Sequence, residues 1–165
     1  MRVMVSRRFV VYLATLVAIS ICANGAAASG PTRLAVVFAN SKYSAMGELR
    51  NPAQDGQLVS SSLRSAGFDV VLRQNLGDEE FRGALRQLAR DSAKYDVTLV
   101  YYAGHGVQLG GINYLLPVDI KPPEQADDIR LGSVSADEVL SVIKSRYKIL
   151  VLDGGLNRSM QHHLF

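Results

Sequence analysis

Three positions in this 165-residue chain pair an acid–base side chain with a place where a fold could use it. His105 stands between Gly104 and Gly106, directly after the run Val97-Thr98-Leu99-Val100-Tyr101-Tyr102-Ala103. Asp153 ends a second apolar run that starts at Tyr147, and Gly154-Gly155 follow it. Asp55 lies just after Asn51-Pro52, an Asn N-cap and a Pro at the first position of a helix. A histidine at the carboxyl end of a buried strand sits where open α/β sheets bind ligands, and glycine N–H groups beside it can point at an oxyanion. That combination suits nucleophilic acyl transfer with His105 as the base. A turn histidine that merely fits between two flexible glycines uses the same residues.

The elements that must position these groups are legible as capped apolar runs. Arg33 to Asn40 is the first strand. The helix after Asn51-Pro52 carries Leu58, Val59, Leu63 and Ala66 at helical spacing and closes at Gly67; Phe68 to Leu72 is the second strand. Asp78 is the expected cap of the next helix, with Phe81, Leu85, Leu88 and Ala89 as its apolar stripe and Arg82, Arg86 and Arg90 as a solvated row beside it. After the His105 strand, Gly110-Gly111 turns the chain into a short strand, Ile112 to Leu116. Val118 to Gly132 is expected to be a polar surface loop; its acids Asp119, Glu124, Asp127 and Asp128 fit no Ca²⁺-loop spacing. Ser135 and Glu138 form a capping box that opens a helix through Ile143, and Tyr147–Asp153 is expected as a last buried strand. Strands alternating with helices predict an α/β fold, a mostly parallel sheet with helices on both faces.

Residues 1–28 have the layout of a secretory signal peptide: Arg2, Arg7 and Arg8, an apolar run from Phe9 to Ala23, then Ala26-Ala27-Ala28. The expectation is export, to the periplasm or outside the cell, with no stable membrane insertion after cleavage. Those three arginines account for the whole excess of 18 basic over 15 acidic residues, so the exported part is balanced and nothing points to nucleic acid. Cys22, the single cysteine, also lies in this segment, which leaves the exported part without a thiol.

Tyr101-Tyr102-Ala103-Gly104-His105-Gly106, followed about 50 residues later by Ile149-Leu150-Val151-Leu152-Asp153-Gly154-Gly155, resembles the caspase-like cysteine peptidases, in particular bacterial members akin to metacaspases and paracaspases. Phe38-Ala39-Asn40-Ser41-Lys42-Tyr43, Asn51-Pro52-Ala53-Gln54-Asp55, Gly67-Phe68-Asp69-Val70 and Tyr114-Leu115-Leu116-Pro117-Val118-Asp119 extend the likeness in the same order. The resemblance implies a caspase-like three-layer sandwich over residues 33–157, the large-subunit part only, after a short linker at 29–32 and before a frayed tail at 158–165. It implies that His105 is the catalytic histidine and that the Gly106 N–H helps form an oxyanion hole. It also implies that Asp55 and Asp153 line a pocket selecting Arg or Lys before the cleaved bond, in a peptide or protein substrate. Asp55 equally suits a plain helix-start acid stabilised by the dipole. The resemblance implies no cofactor and no metal.

Where the family carries its cysteine, this chain has Gly155, and glycine offers no nucleophile. Ser159 would need an unrelated geometry, and the adjacent pair His162 and His163 lacks a third ligand nearby. Peptide hydrolysis is therefore not expected of this chain. The alternatives are a pseudoenzyme that binds basic peptide segments or regulates an active paralogue, or a fragment truncated after the cysteine strand. An exposed apolar edge on that strand would then invite self-association.

Overall fold

The computed structural model describes residues 30–153. The proposed signal segment, Gly154, Gly155, Ser159, His162 and His163 lie outside the described residues. Four parallel strands form the main sheet: β1 (Arg33–Ala39), β2 (Asp69–Gln74), β3 (Val97–Ala103) and β7 (Tyr147–Asp153), in the order β2-β1-β3-β7. Helix α1 (Pro52–Ser65) covers one face, and α2 (Asp78–Asp91) and α4 (Ala136–Val142) cover the other. The alternation of β1 explains both layers. Leu34, Val36 and Phe38 pack with Phe81, Leu85 and Leu88 of α2 and Val139 of α4, while Val37 joins Tyr101, Val59 and Leu63 on the α1 side. This is the α/β architecture expected from the sequence.

α1 approaches the sheet closely because residue 56 is glycine: a Cβ there would lie 2.7 Å from Ala39 Cβ. That contact fixes the depth of the helix one residue after Asp55. Asn51 occupies the N-cap position but its side chain makes no capping bond; Ser41 Oγ instead accepts the Ala53 N–H at 3.0 Å. Asp78 is likewise not the cap of α2. Gly77 is, with Asp119 Oδ1 accepting the Asp78 N–H and Glu80 Oε2 accepting the Gly77 N–H, both at 2.9 Å. Ser135 caps α4 as expected, accepting the Glu138 N–H at 3.0 Å.

Three expectations need correction. A strand follows His105 directly, β4 (Gly106–Leu109), and pairs in a hairpin with β5 (Ile112–Leu115). With β6 (Val134–Ser135) these form a separate antiparallel sheet. The polar segment before Gly132 holds a helix, α3 (Ala126–Gly132), seated by Ile129 in a small core with Val107, Leu109 and Leu116. Finally, β7 is not buried: Tyr147, Ile149, Val151 and Leu152 are 53%, 42%, 40% and 38% exposed. Its apolar run suits the interior of a parallel sheet, yet among the described residues β7 is an outer strand, opposite β2.

Candidate active site

β3 and β4 hold His105 between them, and its backbone is fixed from both ends. The His105 N–H donates to Tyr43 Oη at 2.8 Å. The His105 carbonyl accepts the Leu116 N–H at 3.1 Å and lies 2.6 Å from Tyr102 Oη. The two phenols are 3.2 Å apart, and the Leu116 carbonyl is within reach of both and of Asn40 Nδ2. Asn40 Oδ1 in turn accepts the Leu76 N–H at 3.0 Å. This buried network links the ends of β1 and β3 to the loop after β5. Burial pushes both the Tyr43 and Tyr102 hydroxyls above the usual phenol range, so each keeps its proton.

Gly104 follows from that network. A Cβ at residue 104 would lie 2.6 Å from Tyr43 Oη and 2.7 Å from Tyr102 Oη, so only glycine fits. Its φ is not in the left-handed region, nor is that of Gly106. The glycine before His105 therefore supplies space, not the flexibility that the sequence suggests. Nothing in the spacing of Tyr43 and Tyr102 points to this supporting role, because only the fold brings the loop after β1 against the end of β3.

The imidazole of His105 stacks edge-on against the Tyr43 ring, with centroids 4.5 Å apart. Desolvation lowers its pKa below the ordinary histidine value of 6.5, opposed in part by the Gly47 carbonyl beside the ring. The ring is thus held in the neutral form, able to accept a proton near pH 7. Its Nε2 is buried and without a hydrogen-bond partner among the described residues. Gly106 begins β4, opposite Leu115.

Asp55 and Asp153, nearly a hundred residues apart in sequence, line one cavity of about 370 Å³ together with Arg50, Pro52, Ala103 and Gly104. Asp153 arrives there as the last residue of β7, in register with Ala103, and Asp55 from the first turn of α1. Gly104 belongs both to this cavity and to the His105 turn, which makes the pocket and the imidazole neighbours. Tyr101 Oη donates to Asp153 Oδ2 at 2.5 Å. Burial first, then this bond and the charges of Asp153 and Asp55, hold the Tyr101 hydroxyl well above the usual phenol range. No ion pair joins either carboxylate among the described residues, although Arg50 also lines the cavity. Among the described residues no group of three His, Cys, Asp or Glu is placed to hold a metal ion, and no helix is long and apolar enough to cross a membrane.

The caspase domain family matches residues 32–160. The human mucosa-associated lymphoid tissue lymphoma translocation protein 1 is 31% identical over 98 residues, which cover 58% of this chain and 12% of that protein. Mouse caspase-12 is 28% identical over 125 residues, 74% of this chain and 29% of that protein. The chain thus spans less than a third of the length of either relative. A parallel α/β sheet with a histidine at the end of its central strand, matched over most of its length by one family, places this chain in the caspase domain family.

Proposed function

We infer from caspase-family membership a protease-like function, that of a cysteine peptidase domain with protein substrates. We propose that this chain keeps the family's base and a pocket for a basic side chain but does not hydrolyse peptide bonds. The observation that carries this reading is the shared cavity: Asp55 and Asp153 converge beside the His105 turn with no cation paired to them among the described residues. An Arg or Lys side chain would pair with these two carboxylates, with which Arg50, in the same cavity lining, makes no ion pair. In the proposed arrangement His105 is the base and the Gly106 N–H an oxyanion donor. Gly155 holds the place of the nucleophile, so no thiolate forms and no acyl-enzyme follows. The chain then acts as a pseudoenzyme that holds basic peptide segments or regulates an active paralogue. Residues 1–28 would direct it out of the cytoplasm, a proposal that mass measurement of the secreted product tests by showing whether these residues are removed.

The decisive assay incubates the full chain with fluorogenic peptides ending in Arg, Lys or Asp. No turnover is expected. Turnover that disappears in His105→Ala would overturn the proposed inactivity. A second reading rests on the exposed apolar residues of β7. Paired edge to edge, two copies would cover these residues and satisfy the open backbone groups, and the fold would then serve as an assembly module.

A further inference from the structure

Asp153 is a poorly anchored residue on its own. It ends β7, one of the two outer strands of the main sheet among the described residues, and it is exposed. A carboxylate in that setting is free to turn toward water, and ordering it on a ligand would weaken binding. One group opposes that freedom. Tyr101 lies two residues before Ala103, the register partner of Asp153, so strand alternation puts Tyr101 and Asp153 on the same face of the sheet. Tyr101, on the central strand, is only 6% exposed and packs with Val37, Ala103, Val59 and Leu63. Its hydroxyl reaches out of that packing to Asp153 Oδ2 at 2.5 Å.

The geometry points to Tyr101 as a positioning residue of the acidic cavity: its hydroxyl fixes the Asp153 carboxylate, so that Asp153 and Asp55 together receive one guanidinium or ammonium group. The inference rests on the basic-side-chain reading of the pocket. The two carboxylates lie close enough that the charge of Asp55, too, is felt at the Tyr101 hydroxyl, so the three groups form one electrostatic cluster. Tyr101 stays protonated within it and therefore acts as a donor, adding no third negative charge. Phenylalanine would fill the same apolar space among Val37, Val59 and Leu63, so packing on this face does not require the hydroxyl. The bond is charge-assisted and anchored on a central strand, which fits a preorganised site held on a rigid element.

The test measures calorimetric affinity of the full chain for Nα-acetyl-arginine amide and Nα-acetyl-lysine amide, in the native protein, Tyr101→Phe and Asp153→Asn. Tyr101→Phe is expected to weaken both probes about tenfold, the size of one hydrogen bond to a charged group, while the unfolding midpoint stays near that of the native chain. A second readout is independent of ligand: a low-field hydroxyl proton in the NMR spectrum of the native chain, absent from both variants. Native-like affinity in Tyr101→Phe would overturn the positioning role and leave the basic pocket standing. Failure of the native chain to bind either probe would overturn the pocket reading itself. If the hydroxyl signal survives in Asp153→Asn, the bond on which the inference stands is not the one that orders Asp153.

Discussion

Replacing Gly104 by alanine brings a methyl group within 2.6 Å of Tyr43 Oη and 2.7 Å of Tyr102 Oη, with Tyr102 Cζ at 3.0 Å. Neither phenol can yield without loss. Tyr43 Oη accepts the His105 N–H at 2.8 Å, and Tyr102 Oη is 2.6 Å from the His105 carbonyl. Overpacking at a tight site costs about 1–3 kcal/mol, and each buried hydrogen bond forfeited adds about 1 kcal/mol. With both bonds disturbed, the loss should be about 3–5 kcal/mol, a large part of the roughly 5–15 kcal/mol that holds a domain folded. Urea unfolding of Gly104→Ala against the native chain measures it. The double variant Gly104→Ala/Tyr43→Phe removes the oxygen that the new methyl strikes, so its cost should fall short of the sum of the single variants by about 1 kcal/mol or more. A Gly104→Ala loss below about 0.5 kcal/mol, or strict additivity with Tyr43→Phe, would refute the claim that this glycine is required for space.

Other consequences follow from the same contacts. Because burial holds His105 neutral, its folded pKa lies below the unfolded value of 6.5. Protonation then favours the unfolded chain, so the native protein loses stability as pH falls through and below 6.5 and is unaffected well above it. His105→Gln should remove that component, and a stability difference between native and variant that is the same at neutral and mildly acidic pH would contradict it. Asp119→Ala, which leaves the Asp78 N–H of α2 without its acceptor, should cost about 1 kcal/mol in urea unfolding, whereas Asp127→Ala, an exposed pair with Arg130, should cost about 0.5 kcal/mol or less. Ile149→Lys places a charge on the exposed edge strand and should reduce any self-association seen by sedimentation; unchanged association would exclude the β7 edge as the contact.

Much of the fold is legible because β1 and β3 are nearly continuous apolar runs and Ser135-x-x-Glu138 states its cap locally. The errors have physical causes. Gly106–Leu109 follows the His105 turn without any intervening break, so the sequence marks β5 after Gly110-Gly111 but not its partner β4. Helix α3 is hidden by polar residues because a single side chain, Ile129, seats it. Asn51-Pro52 marks the start of α1 correctly, but the side-chain acceptors at the starts of α1 and α2 come from far away, from Ser41 and Asp119, so Asp78 misdirects a local reading. The run Tyr147–Asp153 has the composition of an interior strand and carries no sign of its outer position. For the site, His105 stands out through its place after an apolar strand. The convergence of Asp55 with Asp153 is not readable from spacing; it came from family resemblance. Neither the Tyr101–Asp153 bond nor the Tyr43–Tyr102 support could be read at all, because each joins residues that only the parallel register or a long loop brings together.

The central claim is that the cavity between α1 and the ends of β3 and β7 receives a basic side chain. Isothermal calorimetry with a peptide ending in arginine addresses it most directly, comparing the native chain with Asp55→Asn/Asp153→Asn. The account expects binding by the native chain, lost in the double variant and absent for a matched peptide ending in aspartate. Equal affinity of native and double variant for the arginine peptide, or no preference for it over the aspartate peptide, would contradict the account.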